Sequence, residues 1–488
     1  MSKKAVLGAI AAAVVVAYGA GTWFAGHQIK STYDRAFEEW PKQSAMVRVI
    51  ERSYDRRFMG AVSTVTLEIG CAADSAATSP PAEPADPDDD EDPEDEDSAA
   101  RAWLRQPVRF TIRDTIHHGP IAGGTLAAAV IDSELVLDPQ AQANVQKIFG
   151  STNPFTAHTR VGFDGGYASD ITVAPAEWSE AGKSKLTWQG ATAHVAMDGA
   201  RSRMQYEVDL PGLVFDSAAR GLHAKMGRLT LKADARRAED WMLATGTSEG
   251  RLDRLELEAR LDLDGETDKS VPKVVLENVD MKGEADTKDG LYGSSATVKG
   301  QGSLGAAKLD RFEFTSGARR IQVAGYRKLA DAWLQSNAAA GCGKGGAKAS
   351  KALMDRLAPD LKAMAKFSPE AGIDRMVVEM GGQRGELSYS AGFAGVTDED
   401  LQLPGFALMT KRGVLKVDAR LPVKWLEQLA EAGVGGGQTP PPEMVAGLIE
   451  QGEEKGFVKR DGDAVTGQVV YSEGALKVNG QPVLRPGN

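Results

Sequence analysis

Leu255-Glu256-Leu257-Glu258-Ala259-Arg260-Leu261-Asp262-Leu263-Asp264 alternates apolar and charged residues over ten positions without a break. A strand throws successive side chains to opposite faces, so this stretch predicts one dry face and one wet face. The same period of two appears at Val65, Leu67 and Ile69 between Thr64, Thr66 and Glu68, and recurs over 108–116, 125–137, 186–195, 206–215 and 222–235. Turn signals such as Asp164-Gly165-Gly166, Asp198-Gly199 and Asp264-Gly265 separate the runs. Alternation punctuated in this way predicts an antiparallel meander and argues against buried parallel βαβ units, whose strands are apolar on both faces.

A helix-free sheet of this length has to bury its apolar face against itself, as a barrel, a sandwich or a curled trough. An outer-membrane barrel is disfavoured: aromatic residues are 6% of the chain, and charges fall in the middle of strands. Past Gly325 the period changes. Residues 326–340 are Ala-rich and helical, and Leu353, Leu357, Leu361 and Met364 repeat at helical spacing before Ser368-Pro369. Strands are expected again at 376–380, 386–393 and 414–421, helices near 423–432 and 443–455, and a closing hairpin of 466–471 with 476–478 around Ser472-Glu473-Gly474. Gly435-Gly436-Gly437-Gln438-Thr439-Pro440-Pro441-Pro442 reads as an exposed linker.

Working toward the N-terminus, residues 5–24 form an uncharged apolar run behind Lys3 and Lys4. About 20 residues at a helical rise of 1.5 Å span a hydrocarbon core, and lysines ahead of the run favour a cytoplasmic N-terminus. A retained anchor is preferred over a cleaved signal peptide, because the apolar stretch continues through Trp23 and Phe24. Residues 28–40 then suit a short amphipathic helix ended by Pro41.

The fold class expected is therefore mainly β with α (α+β). An N-terminal transmembrane helix leads into a long antiparallel β meander, as a curved sheet, trough or sandwich, and then a C-terminal helix-plus-hairpin region. The boundaries are 1–27 for the cytoplasmic tip and anchor, 28–61 for a juxtamembrane helix and connector, 62–324 for the β-rich region, and 325–488 for a mixed α/β region. Between Asp74 and Ser98 lie twelve acids, no base and five prolines, which more than account for the chain's net charge of −11. Such a block buries too little apolar surface to offset its ordering entropy, so 74–100 is expected to be a disordered insert. It lacks the glycine and terminal glutamate of an EF-hand loop.

Chemistry is sparse. The six histidines are His27, His117, His118, His158, His194 and His223. None lies in a HExxH helix, and adjacent His117 and His118 point to opposite faces of a strand, so structural or surface roles and no metal site are expected. No GxSxG elbow is present. Gly341-Cys342-Gly343-Lys344-Gly345-Gly346 satisfies GxGxxG but follows a helix, which suits an interhelical loop and not a phosphate cradle. No catalytic residue and no cofactor is assigned. No basic stripe with interleaved aromatics points to nucleic acid. Cys71 and Cys342 are the thiols available for a disulfide, and the sequence leaves their pairing open. His118, Gly119 and Pro120 form a ligand or structural motif: Pro ends a strand, Gly permits the turn, and the imidazole is expected to satisfy a nearby carbonyl.

Several patterns in order resemble the YdgA-like family of bacterial envelope proteins of unknown function. They are Gly26 and Tyr33 after the apolar run, Tyr54-Asp55-Arg56-Arg57-Phe58-Met59-Gly60-Ala61, and Ile116-His117-His118-Gly119-Pro120-Ile121. Near the end come Gly456-Phe457-Val458 and Tyr471-Ser472-Glu473-Gly474-Ala475-Leu476-Lys477-Val478-Asn479-Gly480-Gln481-Pro482. The acidic stretch after Cys71 departs from the family pattern, as do Gly60 and Ala61. The resemblance implies a location and no reaction. The expectation is a non-enzymatic protein of the bacterial inner membrane, single-pass, with its bulk in the periplasm. Its extended sheet would bind an envelope protein partner or an apolar, lipid-like ligand. The competing class is an envelope hydrolase with a cleft between the β-rich and C-terminal regions.

Overall fold

The computed structural model describes residue 30 and residues 47–70, 108–137, 139–180, 184–217, 221–238, 243–261, 269–305, 307–339, 347–426 and 442–484. The apolar run 5–24, the acidic stretch 74–100, both cysteines and most of the 435–442 linker lie outside the described residues. Among the described residues no helix is long and apolar enough to cross a membrane. The protein is mainly β, a long antiparallel open sheet with few helices. It divides into two compact units: Met1–Glu177 with Gly190–Tyr206 and Leu329–Leu357, and Trp178–Gln189 with Glu207–Lys328 and Ala358–Asn488.

In the first unit the strands are β1 (Val47–Arg56), β2 (Gly60–Ile69), β3 (Val108–His118), a small hairpin of β4 (Ile121–Ala122) and β5 (Thr125–Leu126), β6 (Ala129–Val136), β7 (Phe155–Val161) and β8 (Tyr167–Val173). After β9 (Ala176–Glu180) and β10 (Ser184–Trp188) the chain supplies β11 (Ala191–Met197). Neighbours pair antiparallel in the order β1-β2-β3-β6-β7-β8-β11. Two features depart from the sequence expectation. Residues 47–56, placed in the 28–61 connector, are a strand, and helix α1 (Pro139–Phe149) interrupts the supposedly helix-free meander. Ile116 packs with Ala61, Ala129 and Ile131, and Tyr54 and Val161 flank them. Glu68, buried on β2, bridges Arg48 on β1 and Arg109 on β3, whose Nε lies 2.6 Å away. Those hydrogen bonds, Arg109 foremost, hold its carboxyl below the usual range and keep a buried charge paired.

The second unit takes β10, then β13 (Leu213–Ser217), β14 (Leu222–Met226), β15 (Leu229–Arg237), β16 (Ala244–Leu261), β17 (Lys269–Lys288), β18 (Leu291–Leu304) and β19 (Ala307–Gln322). β12 (Arg203–Leu210) precedes β13 in the chain. Runs expected as single strands are split where a glycine or proline interrupts them. Gly190, at φ 89°, parts β10 from β11; Pro211-Gly212 part β12 from β13; Gly227 parts β14 from β15. β14 and β15 therefore lie end to end along one edge of β16, with β17 on the other.

Helices α2 (Val323–Ala339) and α3 (Ala347–Ala365) intervene in the chain, and the ladder continues through β20 (Glu370–Met380), β21 (Gln383–Phe393) and β22 (Gly413–Pro422). Helix α4 (Gly405–Arg412) precedes β22, and α5 (Pro442–Glu454) precedes β23 (Lys459–Asp461), β24 (Ala464–Ser472), β25 (Ala475–Val478) and β26 (Gln481–Leu484). β24 pairs with β22 on one edge and carries β23 and β25 on the other. Small cores sit under the helices, one of Ala365, Val396 and Leu408, another of Ile449 and Val465.

Candidate functional site

The sequence motif and the long sheet give two separate candidates. In the first unit, the period of two along β3 puts Asp114, Ile116 and His118 on the buried face and leaves Thr115 and His117 exposed. Cross-strand pairing then aligns Tyr54, Ser63, Asp114 and Ser133 from β1, β2, β3 and β6 in one row. Ser133 donates its hydroxyl to Asp114 Oδ1 at 2.6 Å. His118 stands four residues further along β3, opposite Ala129, and is 2% exposed. Its amide donates to the Met59 carbonyl at 3.0 Å, yet neither ring nitrogen has a hydrogen-bond partner among the described residues. The carbonyl expected to satisfy the imidazole is not found among the described residues. Burial pushes the imidazole below its ordinary pKa, and the Arg56 guanidinium and His117 add to the shift.

Beyond His118 the Gly119–Pro120 peptide is cis. Gly119 donates to the Ala128 carbonyl at 2.7 Å, and Ala127 donates to that of Pro120 at 3.1 Å, which pins the β4–β5 hairpin over Ala122, Ala127 and Val130. Three other described histidines meet carboxylates on a neighbouring strand. His158 Nδ1 lies 2.7 Å from Asp132 Oδ1, His194 Nδ1 lies 2.7 Å from Asp170 Oδ1, and His223 pairs with Asp216. Among the described residues no group of three His, Cys, Asp or Glu side chains is placed to hold a metal ion.

In the second unit the candidate is a surface. Leu231, Gly250, Met281, Val298, Phe314, Met376, Leu387, Ala419 and Gly467 are successive cross-strand partners from β15 through β24. A parallel row runs Ala233, Ser248, Gly283, Ala296, Ser316, Ile373, Tyr389, Val417 and Val469, and a third begins Ala235, Gly246, Ala285, Ser294, Ala318, Ala371, Ala391, Leu415 and Tyr471. No charged residue appears in any of them. Beside the first row, on the opposite face, lies a contrasting pattern in which Arg251, Asp280, Lys299, Glu313, Val377, Glu386 and Arg420 are partners in turn. Arg251 reaches Asp280 at 3.4 Å, and Lys299 reaches Glu313 at 3.4 Å.

The uncharged face is half-covered. Every member of the Leu231–Gly467 row is intermediate in burial, and on the same face Tyr389 is 40% and Leu415 36% exposed. Gly250 and Gly300 let neighbours close over them: a β-carbon on Gly250 would stand 2.8 Å from Leu231 Cδ2, and one on Gly300 2.7 Å from Phe312 Cζ. One part of the alternation is corrected. Glu256, expected on the wet face, is buried and held by Arg254 at 2.6 Å and Lys273 at 3.1 Å, while Leu257 is 39% exposed. A register shift between Leu257 and Ala259 accompanies this local exchange.

Fold and sites together define an antiparallel β protein with three adjacent charge-free rows on one sheet face of its larger ladder. Residues 1–484 match the family described as "Bacterial protein of unknown function (DUF945)", and the chain belongs to that family. No curated protein and no solved structure matches it.

Proposed function

We propose that this chain is a non-enzymatic envelope protein, tethered to the bacterial inner membrane through residues 5–24 with its bulk in the periplasm, which holds an apolar, lipid-like ligand along the uncharged face of its second unit. The resemblance to YdgA-like envelope proteins and the apolar run behind Lys3 and Lys4 support the location. One observation carries the ligand: three adjacent rows of cross-strand partners contain no charge over nine strands, and their side chains remain partly open. A fully interdigitated core would close such a face, whereas an acyl chain gains from each apolar side chain it covers.

The test places a photocrosslinking residue, p-benzoylphenylalanine, at position 387 or 388 of the full chain in cells. Leu387 belongs to the uncharged row and Ser388 faces the other way. A lipid adduct found by mass spectrometry at 387 and not at 388 is expected. Adducts at neither position, or equally at both, overturn the proposal.

A further inference from the structure

Three connections of the first unit meet at one end of its sheet. They are the β1–β2 turn, the β3–β6 connection with its β4–β5 hairpin, and the β7–β8 turn. The register places them together: His118 donates to the Met59 carbonyl at 3.0 Å, and Ala128 to that of Val161 at 2.9 Å. Turns at a water-facing end normally carry polar residues, but these expose large apolar ones. Phe58 is 69%, Met59 55%, Ile121 57%, Leu126 73% and Phe163 56% exposed. Residues 119–131 contain no charged side chain, so the hairpin tip is uncharged throughout.

Basic residues border this rim: Arg56 and Arg57 precede Phe58, and Arg160 precedes the β7–β8 turn. Of the nearby acids, Asp55 lies 3.4 Å from the exposed Arg57 guanidinium, and two are engaged by their own turns, Asp164 accepting from the Gly166 amide at 3.0 Å and Asp198 from the Ser202 amide at 2.6 Å. Apolar tips ringed by arginine suit the headgroup boundary of an anionic bilayer, where the rings and methyls enter the acyl edge and the guanidinium groups meet phosphate.

Where the chain leaves this unit points to the same occupant. The Lys30 ammonium lies 6.0 Å from the centroid of the Tyr54 ring, and Tyr54 is two residues from the rim end of β1. Lys30 lies six positions after Phe24, the last of the apolar run, a span that reaches at most about 20 Å. Lys30, from which the chain runs back to Phe24, therefore lies beside the rim end of β1.

We infer that Phe58, Met59, Ile121, Leu126 and Phe163 form a membrane-resting rim that seats the first unit on the anionic phospholipid surface next to its own anchor. The inference rests on the reading that residues 5–24 cross a membrane. The test reconstitutes the full chain in vesicles of phosphatidylethanolamine and phosphatidylglycerol, with one fluorescent amino acid placed in turn at positions 126, 163, 147 and 14. Quenching by lipid-borne bromine is compared with quenching by aqueous iodide.

Bromine is expected to dominate at 126 and 163, with iodide quenching several-fold weaker than at 147, on α1 at the other end of the sheet. Iodide quenching at 126 and 163 equal to that at 147 overturns the rim. Protection from both quenchers also overturns it, because it means protein covers these residues. Position 14 separates the two readings: bromine quenching there with iodide quenching at 126 refutes the rim alone, and iodide quenching at 14 refutes the anchor.

Discussion

Gly119 packs its α-carbon so closely against Ala127 that a β-carbon there would stand 1.7 Å from the Ala127 carbonyl oxygen. Backbone cannot yield as a flexible side chain does. Gly119→Ala should therefore force β3 and the β4–β5 hairpin apart, lowering stability by at least about 2 kcal/mol. Gly447 gives the opposite sign. It is exposed inside α5 with nothing within 4 Å of a built β-carbon, and Gly447→Ala should stabilise by about 0.5–1 kcal/mol. Urea denaturation of both variants against the parent checks the pair.

His118 carries a pH dependence of known sign. Its imidazole is buried without partners for either nitrogen among the described residues, and burial sets its folded pKa below the ordinary 6.5. The unfolded chain then binds the extra proton, so the stability tied to the neutral ring is complete above pH 6.5 and is lost as pH falls toward the folded value. His118→Phe keeps an aromatic ring in the site and removes both orphaned nitrogens. At pH 8 it should match or exceed the parent by about 1 kcal/mol, and the loss of stability from pH 7 to pH 5 should be shallower. Denaturation midpoints across that range decide it; parallel pH profiles for parent and variant would show that His118 does not titrate below its unfolded value.

Much of the β architecture was legible because alternation is local, and the hairpin of β24 and β25 followed from Ser472-Glu473-Gly474 for the same reason. The strand β1 was not, since Arg48, Glu51, Arg52, Asp55 and Arg56 crowd its ten residues and obscure the period. The breaks at Gly190 and Gly227 were hidden by alternation that resumes after each glycine. Glu256 could not be foreseen as buried, because one of its cationic partners, Lys273, comes from the neighbouring strand. The His118-Gly119-Pro120 motif stood out in sequence, but its setting did not. The row beside it draws Tyr54, Ser63, Asp114 and Ser133 from four strands, and register alone brings them together.

Asp400 is a buried carboxylate that fastens α4 to the preceding loop. Lys411 Nζ lies 2.7 Å from Oδ1, Arg412 Nε donates to Oδ2 at 2.7 Å, and the Thr397 amide and hydroxyl each donate to Oδ2 at 3.0 Å. The Lys411 ammonium first, then the Thr397 amide, hold its carboxyl far below the usual carboxylate range. With a depressed folded pKa, its contribution is complete above the ordinary 3.8 and disappears as pH falls through the lower folded value. Asp400→Asn should lower Tm by several degrees at pH 7, and the gap should narrow below pH 3.8. Thermal scans at both ends of that range check it, and a constant gap would show that the carboxylate charge is not what fastens the helix.

Adjacent residues on β18 allow the two sheet faces to be probed one atom set at a time. Val298 has Met281 and Phe314 as its cross-strand partners, whereas Lys299 faces the other way between Asp280 and Glu313. Val298→Glu introduces an unpaired carboxylate into a half-covered apolar row and should cost about 2 kcal/mol. Lys299→Gln removes a half-exposed cation 3.4 Å from Glu313, which keeps Arg311 at 2.5 Å, and should cost less than about 1 kcal/mol. The two variants also divide the proposed ligand from mere folding. Val298→Glu should reduce lipid crosslinking at position 387 at temperatures where circular dichroism shows the sheet intact, and Lys299→Gln should leave it unchanged. Equal crosslinking in both variants would mean that the charge-free rows do not hold the ligand.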